Sequence, residues 1–180
     1  MPEQEQMDID RTIVNLEELL ATDEIKKEYR KTFLLCMFQK ICTKMERNKD
    51  FKIEIKTLFR QSSDYPITVK AIIQNILKYE ISMDDATLMS TWFKANLKKS
   101  NVRKTIPGLK EKLYKIQNGR CMICDEKLGS DWSKIHVDHI IPFKLVGDEL
   151  SDNYQDLCDK CNASKNARTD FIFKSMLKLI

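Results

Sequence analysis

Between Asp23 and Arg47 apolar residues return at Ile25, Tyr29, Phe33, Met37, Ile41 and Met45. A four-residue interval sustained over that length predicts one long helix. At its centre the run Phe33-Leu34-Leu35-Cys36-Met37-Phe38 is apolar on every side and is expected to be buried on most of them. Shorter patterns predict helices over 12–21 and 51–60. Asp64, Tyr65 and Pro66 form a cap-and-proline start, followed by Ile72, Ile73, Ile76 and Leu77 on one face. Asp84 and Asp85 are placed to cap another helix, with Leu88, Met89, Trp92, Phe93 and Leu97 turned inward. Residues 1–105 hold no glycine and no convincing strand alternation, so an all-helical domain is expected there. Its first ten residues are read as a disordered acidic lead.

The pattern changes after residue 105. Pro107 and Gly108 break the chain before a short amphipathic helix with Leu109, Leu113 and Ile116. Val137, Ile140 and Ile141 suggest a strand that ends at Pro142, and 152–158 suggest its return. The stretch 162–168 reads as a helix start, and 171–180 as a closing amphipathic element. The fold class expected is α+β: a helical domain over 1–105, then a small mixed domain over 106–180.

Composition narrows the setting. The chain has 180 residues, 42% hydrophobic and 32% charged, an ordinary balance for a globular protein. No apolar run approaches the ~20 residues of a membrane span. The polar, acidic start is not a secretory signal, so a cytoplasmic location is expected. The net charge of +4 is too small to name a partner, so the position of the charge matters more than its sum. From Ala86 to Lys110 there is no acid, only Lys94, Lys98, Lys99, Arg103, Lys104 and Lys110. That run is either a solvated face or a set of phosphate contacts.

Cysteine usage is more specific. Cys36 and Cys42 lie in the apolar helix and read as small buried hydrophobes. The other four form two C-x-x-C pairs, Cys121/Cys124 and Cys158/Cys161, separated by 33 residues. In a reducing compartment such pairs bind metal more often than they form disulfides. Four thiolates fill the tetrahedral shell of one structural Zn²⁺. A domain of ~75 residues is marginal without such a staple. Trp132, in the polar loop between the pairs, is expected to pack on the first knuckle.

Between the pairs stand Val137-Asp138-His139-Ile140-Ile141-Pro142 and Asp152-Asn153-Tyr154-Gln155, and Asn162 and Lys165 follow the last cysteine. This ordered set, with both knuckles, resembles the zinc-bearing HNH endonuclease family over roughly 106–168. The resemblance implies a ββα-metal fold that hydrolyses phosphodiester bonds, with DNA as the expected substrate, in a restriction, defence or mobile-element setting. It implies Asp138 and Asn162 as ligands of a catalytic Mg²⁺ or Mn²⁺, and His139 as the general base. Asn153 would orient the loop and the base, and the last role, near the phosphate, would fall to Lys165 or Asn166.

The residue types suit the chemistry. A neutral imidazole can take a proton from water. A hard cation on oxygen ligands can bind the scissile phosphate and the leaving oxygen. Adjacent strand residues point to opposite faces, so Asp138 and His139 meet one phosphate only if the strand bends there. His136 shares a face with Asp138 and is either a phosphate contact or a surface histidine. Arg168 is a weaker candidate for DNA contact. A non-catalytic zinc-stapled nucleic-acid-binding module is the alternative reading. A homodimer, or a partner protein held by the helical region, is compatible with both.

Overall fold

The computed structural model describes residues 23–166; the candidates at 1–22 and 167–180, Arg168 among them, lie outside the described residues. The chain divides into two compact units between Lys94 and Ala95. No described helix is long and apolar enough to cross a membrane.

The first unit is built from helices. α1 runs over Asp23–Arg47, α2 over Lys49–Gln61 and α3 over Tyr65–Leu77, and α4 (Met83–Lys98) continues past the division. The long helix thus follows its apolar interval from end to end. Asn48 caps α2 by accepting from the Phe51 N–H, and Asp64 caps α3 by accepting from the Ile67 N–H, as the sequence predicts for Asp64. α4 differs from expectation. Ser82 Oγ accepts from the Asp85 N–H at 3.1 Å, so Ser82 is the cap. Asp84 and Asp85 occupy the first turn, where their charge complements the helix dipole. Asp85 also receives Arg30 at 2.6 Å.

Phe38 centres the core of this unit. It is fully buried, its ring 5.0 Å from Phe93 and 5.8 Å from Trp92, and Phe93 stacks on Phe59 at 5.4 Å. Leu34, Leu35, Met37, Ile41, Cys42 and Met45 are buried from the same helix, with Ile72, Ile73 and Met89 from others. Cys36 corrects the sequence reading: it is exposed, because the i, i+4 spacing that buries its neighbours turns position 36 outward.

The second unit is small and mixed. α5 (Leu109–Ile116) leads into the first cysteine knuckle. β1 (Ile135–His139) and β2 (Tyr154–Cys158) form an antiparallel hairpin, with a one-turn helix, α6 (Phe143–Val146), in the connection. α7 (Asp159–Lys165) follows β2 at once. It begins inside the second knuckle, earlier than the 162–168 start expected, so Cys161 and Asn162 are both helical. The register pairs Ile135 with Cys158 and His139 with Tyr154. β1 stops at His139, short of the Pro142 expected, because the chain beyond it is held by a side chain. Asn153 Oδ1 accepts from the Ile141 N–H at 2.7 Å, and Asn153 Nδ2 donates to the Ile141 carbonyl at 2.8 Å.

Cys121, Ile123, Leu128, Ile135 and Leu157 make the core of this unit, with Tyr114, Cys158 and Cys161 against it. Trp132 is half exposed and packs on the Tyr114 ring at 5.1 Å, so it reaches the knuckle core only through that ring. Gly119 adopts φ +64°, and a Cβ there would stand 2.9 Å from the Tyr114 ring. Ile116, expected inward, is exposed.

Phe38→Ala is expected to destabilise the helical unit by about 3–5 kcal/mol, because the cavity it opens is walled by rigid aromatic rings. Denaturant unfolding of the variant beside the parent protein measures this, and a loss under about 1 kcal/mol would show that the core collapses to fill the space.

Candidate active site and thiol cluster

The four knuckle cysteines converge: their sulfur atoms all lie within 4.8 Å of one another, and Cys124 Sγ stands 3.9 Å from Cys158 Sγ. Tetrahedral Zn–S bonds of ~2.3 Å place sulfurs about 3.8 Å apart, so the cluster fits one zinc ion. Each pair is presented by its own local fold. In the first knuckle the Asp125 N–H donates to the Cys121 carbonyl, and the Cys121 N–H donates to that of Glu126. In the second, β2 delivers Cys158 and the first turn of α7 delivers Cys161. The Met122 N–H donates to the Asp156 carbonyl at 3.2 Å, which ties the first knuckle to β2.

The thiols do not titrate as independent groups. Burial and the neighbouring thiols push Cys161 far up, and burial raises Cys124. Burial also acts to raise Cys121, but N–H donors of Cys124, Cys158 and Ile123 outweigh it and hold that thiol below its ordinary value. Such a set ionises together only when a cation neutralises it.

Asp156 shows a second electrostatic tension. It is fully buried, and neither carboxylate oxygen has a hydrogen-bond partner among the described residues. Burial lifts its pKa to about 6, against a smaller lowering by Lys110. Its backbone is well held, since Gln117 accepts from the Asp156 N–H at 2.8 Å and donates to the Asp156 carbonyl at 3.0 Å.

A cavity of about 480 Å³ opens on one face of β1. Asp138 and His136 line it from the strand, Asn162 and Asn166 from α7, and Arg103 and Lys110 from the segment ahead of the knuckles. The shared face expected for His136 and Asp138 is thus present. His136 Nε2 bonds to Asp159. The two residues named as cation ligands, Asp138 and Asn162, share this cavity.

His139 stands elsewhere. The hairpin register continues through His139 opposite Tyr154, so the bend expected between Asp138 and His139 is absent and the two side chains leave opposite faces. The His139 ring is buried, with Nε2 2.7 Å from Asp148 Oδ1. Phe143 and Tyr154 flank it at 5.3 and 4.9 Å between ring centres. These contacts hold the imidazole on its own side of the strand.

Lys165 is buried too. Its Nζ lies 2.6 Å from Asp138 Oδ2 and donates to the His139 carbonyl at 2.6 Å. It therefore links the metal-ligand candidate to the strand end instead of reaching a surface phosphate. Asn153 holds the Ile141 backbone as described, a loop-orienting role.

The basic run 94–104 is dispersed. Lys94 lies over the Tyr65 ring at 4.4 Å. Lys98 is exposed. Lys99 donates to the Lys144 carbonyl, and Lys104 pairs with Glu149 at 3.4 Å. Arg103 alone of this run lines the cavity, its guanidinium 5.1 Å from the Phe143 ring. Asp148, missed by sequence reading, is the residue that gathers His139 and Tyr154. Its only sequence signal is that an acid follows Gly147 in a turn, which is too common to single out.

Cys158→Ser is expected to release zinc and unfold the C-terminal unit, read by metal content and loss of near-ultraviolet dichroism. Asp156→Asn should raise stability at pH 7–8. The folded carboxyl binds a proton that the unfolded chain has already lost, so parent stability falls as pH rises from about 4 to about 6 and stays lower above that. Melting curves should show a gain for Asp156→Asn at pH 8 that shrinks at pH 5; an equal gain at both would remove the buried charge as its cause.

Comparison with known proteins bears on the second unit alone. No solved structure matches the chain. Residues 121–178, from the first knuckle onward, match the family model described as HNH endonuclease, a family whose members are generally nucleases.

Proposed function

We propose that the protein is a metal-dependent endonuclease that hydrolyses phosphodiester bonds of double-stranded DNA. The observation that carries the reading is the cavity shared by Asp138 and Asn162, a carboxylate and an amide on facing elements of the HNH-matching hairpin and helix. Two oxygen donors suit a hard ion, Mg²⁺ or Mn²⁺, and leave positions for substrate and water. Bound there, such an ion supplies charge relief to the phosphate and the leaving oxygen.

The chain's own residues supply the remainder. Arg103 and Lys110, on the cavity wall, offer donors to the phosphate oxygens on either side of the cut. Lys165 keeps Asp138 turned to its place and is otherwise committed to the His139 carbonyl. His139 takes a proton from water; the resulting hydroxide attacks phosphorus. The bond from phosphorus to the 3′ oxygen breaks, its electron pair stays on that oxygen, and a solvent proton completes the product. The thiol cluster holds zinc as a clasp, with every ligand supplied by protein and no open position for substrate.

His136 is a second reading for the base, favoured by its place on the cavity wall beside Asp138. A non-catalytic DNA-binding module would need neither histidine. The biological setting proposed is restriction, defence or a mobile element, in the cytoplasm. A paired cut would use two copies of the chain, or a partner protein held by the helical region.

Plasmid incubated with the protein and Mg²⁺ or Mn²⁺ is expected to be nicked or linearised. Asp138→Asn and Asn162→Ala should each cost about 10–100-fold or more in rate. His139→Ala should lose about 100–10,000-fold, the usual worth of a general base, while His136→Ala loses little. The reverse order of the two histidine variants would make His136 the base. Equal nicking by parent protein and all four variants, or none by any across several DNAs and ions, would reject the enzyme.

A further inference from the structure

We infer that Asp148 is a positioning residue for His139: its carboxylate holds the imidazole as the Nε2–H tautomer and leaves Nδ1 as the nitrogen that accepts the proton. The inference rests on the reading of His139 as the base. It adds the identity of the working atom and the group that selects it.

The Asp148 side chain is 2% exposed and is satisfied only by donors. Its Oδ1 stands 2.7 Å from His139 Nε2 and accepts from the Tyr154 hydroxyl at 2.9 Å. Its Oδ2 accepts from the Lys104 N–H at 2.7 Å. Burial alone would raise this carboxyl, but the Lys104 N–H, His139 and Tyr154 together hold it below the usual carboxylate range. The same contact works in reverse on Tyr154, whose burial and anionic neighbour push its hydroxyl up to about 12. An ionised carboxylate has no proton to give, so the proton between Asp148 and His139 belongs to Nε2.

A neutral imidazole carries one N–H, so Nδ1 is bare. That atom is buried and has no hydrogen-bond partner among the described residues. Its lone pair is therefore the uncommitted one, the position on the ring left to accept a proton. Phe143 and Tyr154 grip the ring from two sides, so it does not swivel. On proton uptake at Nδ1 the imidazolium keeps Nε2–H on Asp148, and the carboxylate stabilises the charge it gains.

The chain invests local structure in delivering this carboxylate. Gly147 takes φ +61°, and a Cβ there would meet the Lys99 Cβ at 2.9 Å. The turn that aims Asp148 at His139 therefore requires glycine. The Lys104 N–H comes from the 95–104 segment, outside the residues that match the HNH model. The basic run thus contributes a backbone donor to the dyad as well as Arg103 to the cavity.

The chain has two histidines, so His136→Gln leaves a single imidazole for nitrogen-15 NMR. In zinc-loaded full-length protein at about pH 8, above the ordinary imidazole range, His139 should show the Nε2–H pattern. Asp148→Asn keeps volume and an acceptor oxygen; Asp148→Ala removes both. Each should move the ring toward a mixture of tautomers. In the chain with His136 intact, Asp148→Asn should lower kcat for DNA cleavage about 10–100-fold with KM within about twofold. An Nδ1–H pattern in the parent protein, or a tautomer unchanged in both variants, would overturn the inference while leaving the nuclease reading intact. A parent protein with the Nε2–H pattern that cuts no DNA would instead remove the nuclease reading, and with it any catalytic part for Asp148.

Discussion

Four thiols packed within 4.8 Å of one another are the constraint on which the second unit depends. Brought together without a cation they are mutually repulsive once ionised; with one they would form a closed shell. The buried core of this unit is only Cys121, Ile123, Leu128, Ile135 and Leu157. Two of its neighbours, Cys158 and Cys161, are themselves knuckle residues, so packing and metal chemistry are not separable there. The clasp joins the loop before β1 to the junction of β2 and α7. That junction is what sets Asn162 opposite Asp138, and so the clasp and the cavity stand or fall together.

The hairpin also separates its two most chemical neighbours. Strand alternation sends Asp138 toward the cavity and His139 to the other face, and no bend relieves it. Each residue then acquires its own buried partner, Lys165 for Asp138 and Asp148 for His139. Lys165 spans both worlds, because its second bond is to the His139 carbonyl. The carboxylate of Asp138 and the imidazole of His139 thus stand on opposite faces of one strand end. The position of His139 is therefore the most demanding element of the nuclease reading, which rests on the cavity shared by Asp138 and Asn162.

Much of this was legible in the order of residues. The helix over Asp23–Arg47 follows from its four-residue interval, and Asp64 announces the start of α3. The paired cysteines imply their convergence, since a thiolate pair has few other uses in a reducing setting. Asp138, His139, Asn153 and Asn162 stand out through the resemblance of their ordered set to the HNH family. Other features were not legible. Cys36 reads as core and is exposed; Ser82 is the α4 cap where Asp84 and Asp85 looked the better candidates. Lys165 and Lys104 read as phosphate-seeking charges and are committed to protein carbonyl or carboxylate groups instead.

The sequence by itself indicated the long helix, the start of α3, two cysteine pairs able to hold one metal ion and a resemblance to the HNH family, because these rest on local periodicity and on chemically restrictive side chains. Only the tertiary structure decided which face each side chain leaves and what meets it there. Asp148 became visible as the partner of His139 through a turn at Gly147 and a backbone N–H at Lys104, residues brought together across 44 positions of chain. Such contacts depend on the path of the loop, and a loop's path is set by the sum of weak closures around it.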